Sequence, residues 1–314
     1  MLNDPPPSAQ PPTPTPPEQP APPVPAQPQR RPHPLELKPS PRPTVAASAD
    51  GMPRQQVMLH IPVVKPTVTV ILVGVMVALF LVRAVSPELD SQLIQCCANN
   101  GEKVLVEGEY LRLFTSVFLH ASVFTPLGDY SLGNSLHLVF NAYLLYLVGT
   151  SIEPYFGHTR FKLIFALAGI TGSIVSVALS DLSTYSLGAS GAVFGLIGAE
   201  AVFTYRHRKL LGARGQARLR WLVSLGVINL IFGAVSGLGL GGMRIDNWAH
   251  IGGLAGGLIL TWFIGPDLTL KRHPEREGAL IGEDVNPLRR GYRAISLYVS
   301  ALLVILIVAV MLVR

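Results

Sequence analysis

The sequence predicts an all-α polytopic membrane protein, and three observations carry that prediction. Of its 314 residues 49% are hydrophobic, only 14% are charged, and the mean hydropathy is +0.41. An ordinary soluble domain has a charged fraction of about 25%. Long apolar stretches recur from residue 67 to residue 313, and basic residues cluster in alternate loops between them. Most of the chain is therefore expected to lie in a lipid bilayer.

The first segment, residues 1–60, differs from the rest in composition. It is rich in proline and has no apolar period, so it cannot bury enough surface to offset the entropy lost on ordering. We expect a disordered, partly polyproline II tail that acts as a tether or spacer. Segments such as Pro14–Pro17 also fit a PxxP ligand, which is the alternative interpretation.

The apolar stretches that follow are long enough to cross a hydrocarbon core of about 30 Å. Seven such spans are predicted, near residues 67–83, 136–150, 161–180, 190–205, 219–236, 247–264 and 295–313. Several contain many glycines or polar residues, which favours packing inside a bundle. The last one is uniformly apolar, which predicts a peripheral C-terminal helix.

The loops between the spans set the orientation. The loop after the fourth span carries six basic residues: Arg206, Arg208, Lys209, Arg214, Arg218 and Arg220. The loop after the sixth carries another six: Lys271, Arg272, Arg276, Arg289, Arg290 and Arg293. The loops after the third and fifth spans offer only Arg244. Basic loops stay in the cytoplasm, so we expect a cytoplasmic N-terminus and an external C-terminus. A nucleic-acid partner would not explain the alternation and is not expected.

This orientation places three polar residues at one membrane depth. Spans two, four and six all begin at the outer face, and they begin near His137, Ser190 and His250. A serine at a helix start is commonly an N-cap or a small packing residue. Here Ser190 is followed by small residues at every fourth position, Gly191, Gly195 and Ala199. Such a helix face favours the close approach of a partner helix.

The sixth span has the pattern of that partner helix. His250 is followed by two overlapping GxxxG rows, formed by Gly252, Gly253, Gly256 and Gly257. Ionisable residues within a span are rare and usually functional, although a hydrogen-bonded bundle histidine is the alternative. Close packing would bring the Ser190 hydroxyl towards an imidazole that can act as its general base. Phe194, one turn after Ser190, is a candidate to hold that ring by stacking, whereas Asp246 is expected to cap the helix.

The second span supplies candidate donors for a developing oxyanion. His137 and Asn141 are four residues apart and share one helix face. Acyl transfer places negative charge on a carbonyl oxygen, which fixed N–H donors stabilise. The backbone N–H of Ser190 is a third candidate donor. Interhelical hydrogen bonding is the alternative role of Asn141.

With these motifs in place, the sequence resembles the rhomboid family of intramembrane serine proteases over residues 66–265. The resemblance is carried by "YLRLFTSVFLH", "HLVFN", "GASGAVFG" and "AHIGGLAGG", in this order. It implies a rhomboid-like six-helix bundle plus a seventh transmembrane helix. It also implies a catalytic dyad of Ser190 and His250, with His137 and Asn141 supporting the oxyanion and Arg112 having a structural role.

Two departures from the family pattern stand in the first loop. Leu111 occupies the position before Arg112 where the family usually has tryptophan. The stretch "SVFTPLGDYSLGN" has the character of an insertion before the second span.

The domain organisation follows from these elements. We expect a tail over 1–60, a rhomboid-like catalytic membrane domain over 61–265, a basic cytoplasmic linker over 266–294 and a C-terminal transmembrane helix over 295–314. The implied function is that of a serine endopeptidase that cuts single-span or other membrane proteins in or near their transmembrane helices. We expect an integral, multi-pass protein of a bacterial plasma membrane, with the active site facing outward and the bilayer as its surroundings.

Cofactors and metals are not part of this expectation. Cys96 and Cys97 are adjacent, and neighbouring Cα atoms, about 3.8 Å apart, are closer than disulfides prefer, so no disulfide framework and no metal site are predicted. The alternatives are a non-catalytic membrane protein that binds client helices and a small-solute transporter. A transporter would show paired broken helices near the midplane, which this sequence lacks.

Overall fold

The computed structural model describes residues 59–125, 127–238, 245–274 and 279–313. The predicted tail therefore lies outside the described residues as far as position 58. Helices dominate the described part: α1 Thr67–Arg83, α2 Pro87–Cys97, α3 Arg112–Thr115, α4 Leu132–Leu179, α5 Ser190–Arg206, α6 Arg208–Gly237, α7 Asn247–Ile264 and α8 Tyr292–Val313. A π-helical turn, Glu102–Val106, and two 3₁₀ turns, Ser116–Phe118 and Leu288–Gly291, complete them.

Side-chain caps and glycines set the ends of these helices. The Ser131 side chain accepts a hydrogen bond from the backbone of Asn134 and so begins α4. The long α4 covers two predicted spans, 136–150 and 161–180, because Gly157 at φ 74° breaks the helix between them. Gly212 at φ 54° breaks α6 near its start in the same way. Only glycine adopts these left-handed angles without strain.

The helices are those of a polytopic membrane protein. By length and hydropathy, three described helical stretches could each cross a membrane: Leu132–Leu179, Arg208–Gly237 and Leu288–Val313. Thr67–Arg83 is a shorter apolar helix. The predicted fold class is thus confirmed, while the number of seven spans stays a prediction.

The central element is α5, which is surrounded by α4, α6 and α7. Thirteen of its 17 residues are buried. Its glycine face meets α7 so closely that a Cβ on Gly253 would overlap the carbonyl oxygen of Gly191. One turn on, a Cβ on Gly257 would overlap the carbonyl oxygen of Gly195. The small-residue faces predicted from the sequence therefore form the contact between these two helices.

The last helix, α8, is peripheral, as its uniform hydrophobicity predicted. Of its 22 residues only Leu302, Leu306 and Ala309 are buried. These three pack against Val104 and Leu105 of the π-helical turn. The helix thus supports the segment between α2 and α3.

The described residues form two small sheets beside the helices. The antiparallel pair β2 (Asn99–Asn100) and β3 (Tyr185–Ser186) joins the segment after α2 to the loop before α5. At the end of α7, β4 (Leu268–Arg272) and β5 (Leu280–Asp284) form an antiparallel pair, and β1 (Leu59–His60) runs parallel to β5. The predicted linker, 266–294, contains β4 and β5, whose alternation is too short to stand out in the sequence.

The expectation that the two cysteines form no disulfide is wrong in the structure. The Sγ atoms of Cys96 and Cys97 are bonded at the end of α2. The stretch interpreted as an insertion turns back on itself through a bridge between Phe124 and Tyr130, whose rings lie 4.9 Å apart. The Tyr130 hydroxyl donates to the carbonyl oxygen of Ala84 after α1.

Candidate active site

All five residues named as site candidates line one cavity. Its volume is about 1340 Å³, and it lies at the ends of α4, α5, α6 and α7. The residues are His137, Asn141, Ser190, Phe194 and His250. They come from three helices, and the structure leaves none of them elsewhere.

Ser190 is the first residue of α5 and is partly exposed to the cavity. The tight contact between α5 and α7 fixes its position, since a Cβ on Gly191 would lie 3.2 Å from the carbonyl oxygen of Ala249. Ala249 directly precedes His250. The first-turn N–H groups of a helix lack intrahelical partners, so the backbone at Ser190 also offers donors to the cavity.

His250 is buried in the first turns of α7, with 5% of its surface exposed. Its imidazole lies flat on the ring of Phe194, with ring centroids 4.3 Å apart and an angle of 9° between the planes. Among the described residues, Nδ1 of His250 has no hydrogen-bond partner, and no hydrogen bond joins its ring to the Ser190 hydroxyl. The ring is therefore oriented by stacking, and its Nδ1 is not tied to a carboxylate.

Asp246 caps α7, as the sequence predicted, and does not hydrogen-bond the imidazole. Its Oδ1 accepts from the backbone of Ala249 at 2.9 Å. Its Oδ2 accepts from the hydroxyls of Ser176 and Ser186, each at 2.5 Å. One carboxylate thus connects the end of α4, the strand before Ser190 and the start of the helix that carries His250.

His137 is held in one tautomer by the loop before α4. Its Nδ1 accepts a hydrogen bond from the backbone N–H of Ala121 at 3.2 Å, which leaves the proton of a neutral ring on Nε2. This Nε2 lies 3.1 Å from the place that a Cβ on Gly188 would occupy. The ring therefore presents a donor to the loop two residues before Ser190.

Asn141 supplies a second donor to the same place. Its Nδ2 donates one hydrogen to the carbonyl oxygen of His137 at 2.9 Å and lies 3.9 Å from the Cβ position of Gly188. One N–H of that amide remains for another acceptor. Gly188 has φ 126°, and its own N–H donates to the carbonyl oxygen of Ser116. The loop conformation and the two donors thus converge beside the start of α5.

His120 is not among the predicted site residues, although it ends the motif "YLRLFTSVFLH". His120 is buried, and its ring lies edge-on to that of His137 at 5.4 Å. Burial lowers the pKa of His120 to about 3, and the positive charge of Arg83 acts in the same direction. The ring is therefore neutral at physiological pH. The backbone carbonyl oxygen of His120 accepts a hydrogen bond from Arg83, which also pairs with Asp90 at 2.6 Å.

Arg112 is placed away from the cavity chemistry. It is 5% exposed, pairs with Glu109 and donates to the carbonyl oxygen of Ala98 at 3.0 Å. These contacts fasten α3 to the end of α2 and are those of a structural residue.

The chain is a polytopic helical membrane protein. Its helices enclose a cavity that is lined by a serine and two histidines. Comparison with known proteins gives the family. The Rhomboid domain model matches residues 107–267, about half of the chain, and the chain belongs to the rhomboid family.

Individual relatives agree with this assignment. Rhomboid protease GluP of Bacillus subtilis is 32% identical over 203 residues, which are 64% of this chain and 35% of the relative. YdcA of the same bacterium is 30% identical over 158 residues, or 50% of this chain and 69% of that protein. RHOMBOID-like protein 1 of Arabidopsis thaliana is 34% identical over 157 residues, 50% of this chain and 35% of the relative. The chain thus spans about a third of the length of GluP and of the plant protein.

Proposed function

We propose that this chain is an intramembrane serine endopeptidase that hydrolyses peptide bonds in or near the transmembrane helices of membrane proteins. The observation that carries the proposal is the shared cavity, which Ser190 and His250 both line beside the glycine contact of α5 with α7. Membership of the rhomboid family, and relatives named as rhomboid proteases, support the same reaction.

In the proposed mechanism, Ser190 is the nucleophile and His250 the general base. The imidazole takes the proton of the hydroxyl as Oγ attacks the scissile carbonyl carbon. It then gives this proton to the leaving amine as the peptide bond breaks. In the second half of the reaction, the imidazole takes a proton from water as the water oxygen attacks the acyl-enzyme. The imidazole then returns this proton to Oγ of Ser190 as the ester bond breaks.

Stacking on Phe194 orients the His250 imidazole, which in a Ser-His-Asp triad is done by a carboxylate. The nearest acid, Asp246, is committed to capping α7 and to two serine hydroxyls. In ligand-free sites the nucleophile–base hydrogen bond is often long and tightens only with substrate. In the proposed mechanism, the hydrogen bond between Ser190 and His250 forms when the substrate is bound.

We assign the stabilisation of the oxyanion to three N–H donors. Nε2 of His137 and Nδ2 of Asn141 lie 3.1 and 3.9 Å from the place of a Cβ on Gly188, two residues before Ser190. The backbone N–H of Ser190 is the third proposed donor. Removing a single such donor from a serine protease typically costs about 10²–10³ in kcat. Fixed donors in a site of low dielectric constant stabilise the developing charge without reorganisation.

The proposed orientation places this cavity near the outer surface. Ser190 starts α5, and Arg206 ends it about 24 Å away at a rise of 1.5 Å per residue. Since basic residues mark the cytoplasmic end, the serine lies at the external end. A cavity at that depth can admit the water that hydrolysis consumes.

Cleavage of a labelled single-span helix in liposomes tests the proposal. Wild-type protein should cut the helix, and Ser190→Ala and His250→Ala should each abolish the cut. Ser180→Ala is the matched control, because Ser180 lines the same cavity and caps α4 through its backbone only. A fluorophosphonate probe should label the wild type and the control but not Ser190→Ala. Cleavage that persists in Ser190→Ala refutes the assigned nucleophile, and binding of the helix without cleavage by the wild type supports the non-catalytic alternative.

A further inference from the structure

A second cavity lies at the opposite end of the bundle from Ser190. It is a groove of about 520 Å³ between α5, α6 and α7, within the range of about 300–1,000 Å³ that is usual for ligand sites. Its walls are hydrocarbon and aromatic side chains, among them Ala201, Tyr205, Leu219, Leu258, Ile259 and Trp262. None of the five candidate site residues belongs to it.

Two arginines are held against the aromatic residues of this groove. The guanidinium of Arg206 lies over the Trp262 ring, 4.6 Å from its centroid, and donates to the Trp262 carbonyl oxygen at 2.6 Å. That of Arg208 lies over the Tyr205 ring at 4.4 Å and donates to the Tyr205 carbonyl oxygen at 3.0 Å. Both guanidinium groups therefore lie on aromatic residues that line the groove.

The charges of these two arginines are not neutralised within the described residues. Neither has a carboxylate within 4.0 Å there, and each spends one N–H on the backbone carbonyl named above. A guanidinium has five N–H donors, so most of them remain available. Arg218 on α6 differs, because Glu200 binds it at 2.6 and 2.9 Å. The hydrogen bonds to carbonyl oxygens position Arg206 and Arg208. The other N–H groups of both side chains have no carboxylate partner among the described residues.

We propose that the groove binds one acyl chain of an anionic phospholipid, with the lipid phosphate at Arg206 and Arg208. Guanidinium groups match the geometry of phosphate oxygens, and charge-assisted hydrogen bonds of this kind are strong. Tryptophan and tyrosine are enriched at the depth of lipid headgroups, which is where this pair of rings would place the phosphate. A net negative lipid complements the two charges, which pair with no carboxylate among the described residues, whereas a zwitterionic lipid brings its own cation. The inference does not depend on protease activity.

Trp262 provides a reporter at the groove itself. The chain has three tryptophans, so the double substitution Trp221→Phe with Trp248→Phe leaves Trp262 as the only one. The full chain with this background is reconstituted in phosphatidylcholine, and a brominated phospholipid that quenches tryptophan is added in steps. We expect brominated phosphatidylglycerol to quench at a lower mole fraction than brominated phosphatidylcholine with the same chains. Equal quenching by the two lipids would overturn the proposal.

Charge variants on the same background separate a built site from a general basic surface. Arg206→Gln with Arg208→Gln should lower the apparent affinity for phosphatidylglycerol by on the order of tenfold. The matched control is Arg289→Gln with Arg290→Gln, which removes two exposed charges from the turn before α8 and should leave the preference unchanged. If both pairs reduce the preference equally, the attraction is that of the whole basic face, and the site is refuted.

The groove is tested by a variant that keeps both arginines. Ala201→Phe places a ring in the space proposed for the acyl chain. The fluorescence of Trp262 should then be quenched equally by brominated phosphatidylglycerol and brominated phosphatidylcholine. Binding of free glycerophosphate, measured by its competition with the brominated lipid, should be weak, because it lacks the chain. Retention of the full preference in Ala201→Phe would contradict the assigned position of the lipid.

Discussion

Substitution of Gly172 by alanine should reduce activity although Gly172 lies outside the cavity. This glycine belongs to α4, and a Cβ on it would lie 2.6 Å from the carbonyl oxygen of Ala249, the residue before His250. A carbon and a carbonyl oxygen in ordinary contact need about 3.3 Å, so one of the two backbones has to move by about 0.7 Å. The movement falls on the first turn of α7.

The expected consequence is a loss of rate that exceeds the loss of stability. A displacement of about 1 Å between reacting groups can cost on the order of 100-fold, so we expect kcat/KM for a single-span substrate to fall about 10- to 100-fold. Overpacking a helix contact typically destabilises by about 1–3 kcal/mol, which leaves the protein folded if its stability is ordinary. The assay combines cleavage kinetics in liposomes with thermal unfolding.

The matched control is Gly226→Ala in α6. Gly226 is also a buried helical glycine, but a Cβ there would meet nothing within 4 Å. Its activity should stay within about twofold of the wild type, since the substitution adds helix propensity and creates no clash. Full activity in Gly172→Ala, or an equal loss in both variants, would refute the argument that α4 sets the position of His250.

Three further predictions concern single contacts. Gly188→Ala should abolish cleavage and probe labelling, because φ 126° strains alanine and its Cβ would lie 3.0 Å from the imidazole proposed to bind the oxyanion. Phe194→Leu should lower kcat/KM about 2- to 12-fold, the equivalent of an aromatic stacking contribution of about 0.5–1.5 kcal/mol, as measured by cleavage kinetics. Asp90→Asn should lower the free energy of unfolding by about 3–5 kcal/mol in thermal or denaturant melts, because it leaves the charge of Arg83 buried without its partner.

Each of these has its own control. Gly74→Ala, on α1, adds a Cβ with nothing within 4 Å and should leave probe labelling intact. Phe194→Tyr keeps the stacked ring and should retain the wild-type rate, so a loss equal to that of Phe194→Leu would contradict a role for stacking. Glu107→Gln breaks the exposed pair with Lys103 and should not change the melting temperature measurably, since solvent already screens that pair. An Asp90→Asn protein as stable as the Glu107→Gln protein would show that the buried pair has no stabilising role.

The sequence was informative wherever function followed the helical repeat. Ser190, His250 and His137 were recognisable because each stands near the start of an apolar stretch that alternate basic loops orient the same way. The contact between α5 and α7 was recognisable because glycines recur every fourth residue on both helices. In the structure these residues line one cavity, and the glycine faces of α5 and α7 are in contact.

The sequence was uninformative wherever a residue depends on distant partners. His120 carries no pattern of its own, and its importance comes from the contact of its ring with His137 and from the bond that Arg83 makes to its carbonyl oxygen. The strands β4 and β5 are five residues each, and their pairing with each other and with β1 is set across many residues of chain. Their alternation is too short to be distinguished from a linker.

The sequence by itself determined a membrane protein, the order of its helices, the faces that pack and the residues available for chemistry. Composition and helical periodicity fix these properties locally, one span at a time. The sequence offered Phe194 as a candidate to stack on His250, and the tertiary structure decided that the two rings lie flat on each other. Only the tertiary structure decided that Asp246 binds two serine hydroxyls and that Nε2 of His137 lies beside Gly188. Side-chain direction and hydrogen-bond partners depend on how far apart separate helices lie, and that distance is set by all of their contacts together.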